Sequence, residues 1–447
     1  MKKSKILLPL LVVISMVSLS SCVALFDDRD MAFENHFNPV QTEEEIDPNT
    51  PTAGGAKATQ DNRVPNVTVY KNVCYATDNK IINTYKEGGV NYNGYNVNGG
   101  EDYYGDKSSN NYDLYVPDSI AKDQKQMVVL FVHGGAWVSG FKTDVNPYVH
   151  EFANKGYITA TIKYTLLKRS MDDPSLSIFR NLDEIDACIA SIKSVLEELE
   201  FDTSKLNLAI GGASSGAHLA MLYSYSRGYK AENGSAIPLR FIIDAVGPVN
   251  IQPECWKAFK FVDEEDQNNY LANEDALSFD KVQTKAAADG IKELPIAGDS
   301  ENTWNAYQTM RIANGMCGLP FSLEQVEASS SDKQNIDQPN EASNSMTIRG
   351  SREYTGEELL SVGYWVDKMT GKLPIICAYA GRDAIVGINQ YATLQHTLDT
   401  KGYVEGTDYK FVYFPNGGHT DISKEKDETK YNTFVGYVED WCVNKIA

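Results

Sequence analysis

Basic residues are in deficit in this sequence. Its 447 residues include 41 Lys and Arg against 61 Asp and Glu, a formal net charge of −20. Binding nucleic acid through its phosphates needs a basic face, so this balance speaks against a nucleic-acid partner. Long apolar runs are scarce too. The one example lies at the extreme N-terminus, which excludes a polytopic membrane protein. No cysteines are spaced as CxxC and no Cys/His pair has metal-site spacing, so no metal site is expected. No internal repeat is visible. Histidine occurs only six times, at 36, 133, 150, 218, 396 and 419, which narrows the search for any general base. A content of 42% hydrophobic and 23% charged residues supports a sizeable core and excludes wholesale disorder. The length suits one large domain with insertions, or two domains.

The N-terminus carries an address. Met1-Lys2-Lys3-Ser4-Lys5 is basic, and the apolar stretch Ile6 to Leu19 is short for a membrane span. Leu19-Ser20-Ser21-Cys22 then resembles the lipobox of bacterial lipoproteins. That resemblance implies lipidation of Cys22, export, and anchorage to a bacterial membrane or cell surface, with residues 1–22 as the signal. An ordinary secretory signal with an incidental Cys22 is the alternative. Residues 23–67 read as an acidic tether: Asp27, Asp28, Glu43-Glu44-Glu45, Pro48, Pro51 and Gly54-Gly55 fall in or near a stretch without apolar periodicity. Of the later cysteines, Cys188, Cys377 and Cys442 lie in apolar, regular segments and are expected as buried thiols. Cys255 and Cys317 share one irregular stretch, and whether they pair stays open.

From about residue 68 to 447 the pattern alternates strands and helices. Strands are expected at 111–117, 127–132, 157–164, 206–210, 241–246, 373–380 and 409–414, and helices at 182–199, 217–225, 386–398 and 431–446. Such alternation predicts an α/β domain: a mostly parallel central sheet with helices on both faces. Residues from about 252 to 365 break the rhythm with clustered acids (Asp263-Glu264-Glu265-Asp266) and a serine tract. So long an irregular stretch suggests a large inserted cap, with a surface insertion as the alternative.

Two segments carry chemistry. Gly212-Ala213-Ser214-Ser215-Gly216 fits G-x-S-x-G between an expected strand and an expected helix. That is the context of a nucleophile elbow, where a sharp turn with small neighbours exposes the serine beside helix N-terminal amides. His133-Gly134-Gly135-Ala136-Trp137 follows the apolar strand 127–132, and a glycine-rich loop there can aim main-chain N–H donors at an oxyanion. His133 precedes the serine in the chain and is expected to play a structural role. Together these segments resemble the esterase/lipase branch of the α/β-hydrolase fold, with 212–220 as its elbow and helix. Tyr164-Thr165-Leu166 departs from that branch's usual Tyr-Arg-Leu.

The resemblance covers about 110–250 and 370–446, and it implies the chain order nucleophile, acid, histidine. Gly381-Arg382-Asp383 after strand 373–380 supplies Asp383 as the acid, with Asp408 and Asp421 as poorer substitutes. His419, in Pro415-Asn416-Gly417-Gly418-His419, takes the base position, while His218 is expected to pack under the elbow. The same resemblance assigns Gly135, Ala136 and Ser215 as oxyanion donors. It implies a serine hydrolase of carboxylic esters, with a small-molecule or carbohydrate ester as substrate and no metal or organic cofactor. Acetyl or feruloyl esters of carbohydrates suit a surface-tethered protein. Formamidase, acyltransferase or peptidase chemistry on the same fold, or a non-catalytic binding module, are the alternatives. Oligomeric state is not legible.

Overall fold

Met127 to Val132 is apolar at every position, and a strand apolar on both faces has to be covered on both. The computed structural model shows how. It describes residues 52–75, 111–137, 140–166, 178–230, 234–249, 361–381, 383, 386 and 388–446, with three-residue strands at 258–260, 292–294, 346–348 and 352–354. The main sheet has ten strands: β1 Thr52–Ala53, β2 Ala56–Gln60, β3 Val67–Cys74, β4 Asn111–Pro117, β5 Gln126–Val132, β6 Ile158–Lys163, β7 Leu206–Ala213, β8 Leu239–Ala245, β9 Ile375–Ala380 and β10 Tyr409–Phe414. Their order is β1-β2-β3-β4-β6-β5-β7-β8-β9-β10. The pairs from β1 to β6 across β2, β3 and β4 are antiparallel, and the six strands β6-β5-β7-β8-β9-β10 run parallel. This is the α/β-hydrolase topology.

Side chains on β5 alternate between two cores, as the pleat demands. Val128, Leu130 and Val132 join one cluster with Leu182, Ile185, Ile189 and Ile192 of α2 (Ile178–Glu198) and Leu219 of α3 (Ser215–Tyr223). Met127, Val129 and Phe131 face the other way, onto Val149 and Phe152 of α1 (Asn146–Asn154) and Phe434, Val438 and Trp441 of α6 (Glu428–Asn444). A third cluster packs α4 (Val362–Lys368) and α5 (Ile388–Thr400) against Ile375, Cys377 and Tyr379. Cys188, Cys377 and Cys442 are buried free thiols.

The strand order places the site. The chain steps from β5 to β6 on one side, then crosses to β7 on the other, so the order reverses beside β5. Open α/β sheets bind ligands at such a reversal, outside the carboxyl ends of the strands. The register sets Val132 beside Gly212, Ala213 beside Ala245, and Ala380 beside Phe414, so these ends lie level.

Two boundaries differ from expectation. The tether expected over 23–67 ends earlier, because β1, β2 and the start of β3 already belong to the sheet. Gly54 and Gly55, both at positive φ, form the two-residue turn of the β1–β2 hairpin, and Ala53 and Ala56 are buried against the core. The acidic, Gly- and Pro-containing composition masked a hairpin signal that the Gly-Gly pair did carry. At the other end, the insertion expected to close near 365 is over by 361, since Val362 and Val366 of α4 are core residues. The rest of the 252–365 stretch lies outside the described residues, apart from two antiparallel strand pairs, Ala258–Lys260 with Lys292–Leu294 and Met346–Ile348 with Arg352–Tyr354. Cys22, Cys255, Cys317 and His36 also lie outside them.

Candidate active site

Ser214 stands between β7 and α3 at φ 54°, ψ −127°, backbone that L residues seldom adopt. Its neighbours have to be small. A Cβ on Gly216 would come within 2.1 Å of the Val132 carbonyl oxygen and 2.3 Å of that of His133, so the helix backbone can approach the β5 exit only as glycine. The Ser214 amide donates to the Ala245 carbonyl on β8 at 2.9 Å, which fixes the turn to the neighbouring strand. Strain held this way presents the side chain above the sheet.

His419 follows β10. Its Nε2 lies 2.9 Å from Ser214 Oγ, and its Nδ1 lies 2.7 Å from Asp383 Oδ2. A carboxylate only accepts, so Nδ1–H donates to Asp383 and Nε2 is left to accept from the serine hydroxyl. Asp383 Oδ1 accepts the Val386 amide at 2.9 Å, and the carboxyl is fully buried. The two poorer acids are engaged elsewhere. Asp421 accepts the Gly418 amide at 2.8 Å, steadying the loop that carries His419. Asp408 accepts from Lys372 and from the Val404 amide. The structure thus brings together Ser214, His419 and Asp383 and leaves Asp408 and Asp421 out.

The remaining described histidines stand apart from this run. His133 is fully buried; its Nδ1–H donates to the Gly134 carbonyl at 2.7 Å, and its ring stacks on Tyr164 at 4.2 Å. Burial pushes its ring down to about 4, so it stays neutral near pH 7. His218 is buried beneath the elbow, His150 packs edge-on to Tyr115, and His396 lies exposed on α5. The loop after β5 passes through Gly135 at φ 115°, Ala136 at 50° and Trp137 at 63°. With Ser215 as the first residue of α3, it brings the three expected oxyanion donors to the serine's side of the sheet. Among the described residues no group of three His, Cys, Asp or Glu could hold a metal ion.

The sequence model of the BD-FAE family matches residues 112–289, less than half of the chain. The probable isoprenylcysteine alpha-carbonyl methylesterase of Oryza sativa subsp. japonica is 30% identical over 135 residues, 30% of this chain and 30% of its own. The isoprenylcysteine alpha-carbonyl methylesterase of Arabidopsis thaliana is 28% identical over 134 residues, 30% of this chain and 29% of its own. The chain thus matches under a third of the length of these relatives. Among solved structures, esterase B from Lactobacillus Rhamnosis (HN001) is 13% identical, with a TM-score of 0.47 over 85% of this chain and 89% of that one. A truncated carbohydrate esterase from gut microbiota is 15% identical, with a TM-score of 0.47 over 85% and 99%.

The BD-FAE span includes Ser214 and the loop 133–137 but stops short of Asp383 and His419. Those two rest on fold order and on the hydrogen bonds above. Sequence reasoning gave Trp137 and Tyr164 no role. Their contacts with His218 and His133 join segments far apart in sequence, which no local pattern signals.

Proposed function

We propose that this protein is a serine hydrolase of carboxylic esters that works through an acyl-enzyme. Ser214 Oγ attacks the ester carbonyl while His419 Nε2 takes its proton. The carbonyl oxygen becomes an oxyanion held by the amides of Gly135, Ala136 and Ser215. Collapse breaks the ester C–O bond, and the imidazolium returns the proton to the leaving alcohol. Water, deprotonated by His419, then attacks the acyl-serine; the bond from Ser214 Oγ to the acyl carbon breaks, Oγ takes the proton back from His419, and the acid leaves. Asp383 holds the imidazole tautomer and stabilises its charged form. No metal or organic cofactor enters these steps. The observation that carries this reading is the run from Ser214 Oγ through His419 to Asp383, at 2.9 Å and 2.7 Å, on an elbow serine at positive φ. The local likeness to plant methylesterases supports ester chemistry. Within it, acetyl or feruloyl esters of carbohydrates are the proposed substrates. A fluorophosphonate probe tests the nucleophile, and a panel of acetyl, butyryl, longer acyl and feruloyl esters with acetylated xylan tests the substrate. An unlabelled protein sinks the mechanism; activity confined to long acyl chains sinks only the carbohydrate assignment.

The proposed location is a bacterial membrane or cell surface, through acylation of Cys22. Cys22→Ser is expected to move the protein out of the membrane fraction and to stop incorporation of labelled fatty acid. A variant that keeps both contradicts the anchor.

The stretch between Val249 and Val362 is proposed to set ester selectivity as a cap. Its two ends meet: the Val362 amide donates to the Val249 carbonyl at 3.0 Å, and the Val249 amide donates to Gln390 Oε1 of α5 at 2.7 Å. A short linker can therefore bridge the gap without pulling on the sheet. Such a variant is expected to keep fluorophosphonate labelling. Its ratio of kcat/KM for small acetyl over bulky aryl esters should change more than ~10-fold. Unchanged selectivity in a folded variant would make the stretch a surface insertion.

A further inference from the structure

The loop after β5 places two consecutive side-chain-bearing residues, Ala136 and Trp137, at φ 50° and 63°. Left-handed backbone at such residues persists only where packing over-determines it. The packing here is specific. Trp137 is 1% exposed, and its indole meets the His218 ring edge to face, centroids 5.4 Å apart at 85°. His218 is itself fully buried in the first turn of α3, and its amide donates to the Ser214 carbonyl at 3.1 Å. Ser215 opens that same turn. One ring contact therefore joins the loop that carries Gly135 and Ala136 to the helix that carries Ser215.

We propose, resting on the ester-hydrolase reading, that Trp137 and His218 are positioning residues whose contact sets the spacing between the loop donors and the helix donor of the oxyanion site. Both rings are buried, so the role proposed for them is indirect. The start of the loop is held separately. The Tyr164 hydroxyl donates to the His133 carbonyl at 3.2 Å, and the Tyr164 ring stacks on His133 at 12°. Loss of the Trp137–His218 contact is thus expected to shift residues 135–137 relative to α3 while the β5 exit stays anchored. Oxyanion donors act on the position the oxygen reaches in the transition state, so a shifted loop lowers kcat and spares ground-state binding. That separates this role from a merely structural one.

The test is a double-mutant cycle on the full chain with Trp137→Leu, His218→Leu and the pair, read as kcat, KM and the Ki of an alkyl trifluoromethyl ketone. Such a ketone forms a serine hemiketal bearing an oxyanion. Each single variant is expected to lose ~10- to 100-fold in kcat with KM within ~2-fold, and the Ki should rise in parallel. The double variant should lose no more than the worse single, because both remove one contact. His218→Phe, which keeps a ring, should retain most of kcat. If Trp137→Leu does not fold, Trp137→Met, which also lacks a ring, takes its place in the cycle. Multiplicative losses, or an unchanged Ki, overturn the proposal while fluorophosphonate labelling of the parent leaves the hydrolase reading standing. An unlabelled parent overturns both.

Discussion

Ser214→Ala is expected to lower kcat for an activated acetyl ester by ~10⁴-fold or more, with the fold unchanged. The elbow explains why the two effects separate. Ser214 sits at φ 54° between β7 and α3, and its amide bond to Ala245 does not involve the side chain. Alanine bears the same Cβ as serine, so it meets the same backbone strain and keeps that hydrogen bond. What it loses is the one oxygen that lies 2.9 Å from His419 Nε2. Ser215→Ala is the control. The proposed contribution of Ser215 is its amide, which alanine keeps, so its loss should be far smaller. Groups that act as a unit also lose activity together. Asp383→Asn, which disturbs the 2.7 Å hydrogen bond to His419 Nδ1, should therefore add little once Ser214 is gone. Initial rates and fluorophosphonate labelling of the three variants check this. Comparable losses in Ser214→Ala and Ser215→Ala would move the nucleophile.

The fold was legible wherever local and tertiary signals agreed. Asn111 to Pro117 and Tyr409 to Phe414 occupy the strands expected of them, because alternation or an apolar run coincides with a clear stop. Helix α3 was legible from G-x-S-x-G in its strand-to-helix context, although it begins at Ser215, ahead of the expected 217. Chain order pointed to Asp383 and His419, but their distance to Ser214 is set by tertiary register. Two strands, β8 and β9, separate the elbow strand from β10, and the parallel pairing of Ala380 with Phe414 brings the acid and histidine loops level. No spacing along the chain encodes that. Composition misled at the N-terminal hairpin, where two alanines and a Gly-Gly turn outweigh the acidic surroundings once a core is there to cover them. Asp244 was hidden in the apolar run 241–246 and is a fully buried carboxyl on β8.

Asp244→Asn is expected to change the pH dependence of stability strongly. Burial pushes the Asp244 carboxyl up from 3.8 to about 7, against the lowering effects of Tyr379, of the Gly247 amide that donates to Oδ1 at 2.8 Å, and of Cys377. Between those values the folded chain keeps a proton that the unfolded chain has lost, so stability falls as pH rises through the window. At ~1.4 kcal/mol per pH unit the fall is on the order of 4 kcal/mol. His133 works in the opposite sense. Burial holds its ring down from 6.5 to about 4, so between those values the unfolded chain binds the extra proton and stability rises with pH, by about 3 kcal/mol. The two slopes nearly cancel up to about pH 6.5 in the parent protein. Removing the carboxyl should uncover the His133 slope. Asparagine can still accept the Gly247 amide, and whatever its Nδ2 costs beside the site of Oδ2 does not depend on pH. The stability of Asp244→Asn relative to the parent should therefore climb between about pH 4 and 7, on the order of 4 kcal/mol, whichever protein is more stable at the start. Urea denaturation of both proteins across that range measures the difference. A flat difference would mean that Asp244 is already ionised in the folded state, and that the turn pinning Gly247 against Ala217 of the nucleophile helix is held by a charge.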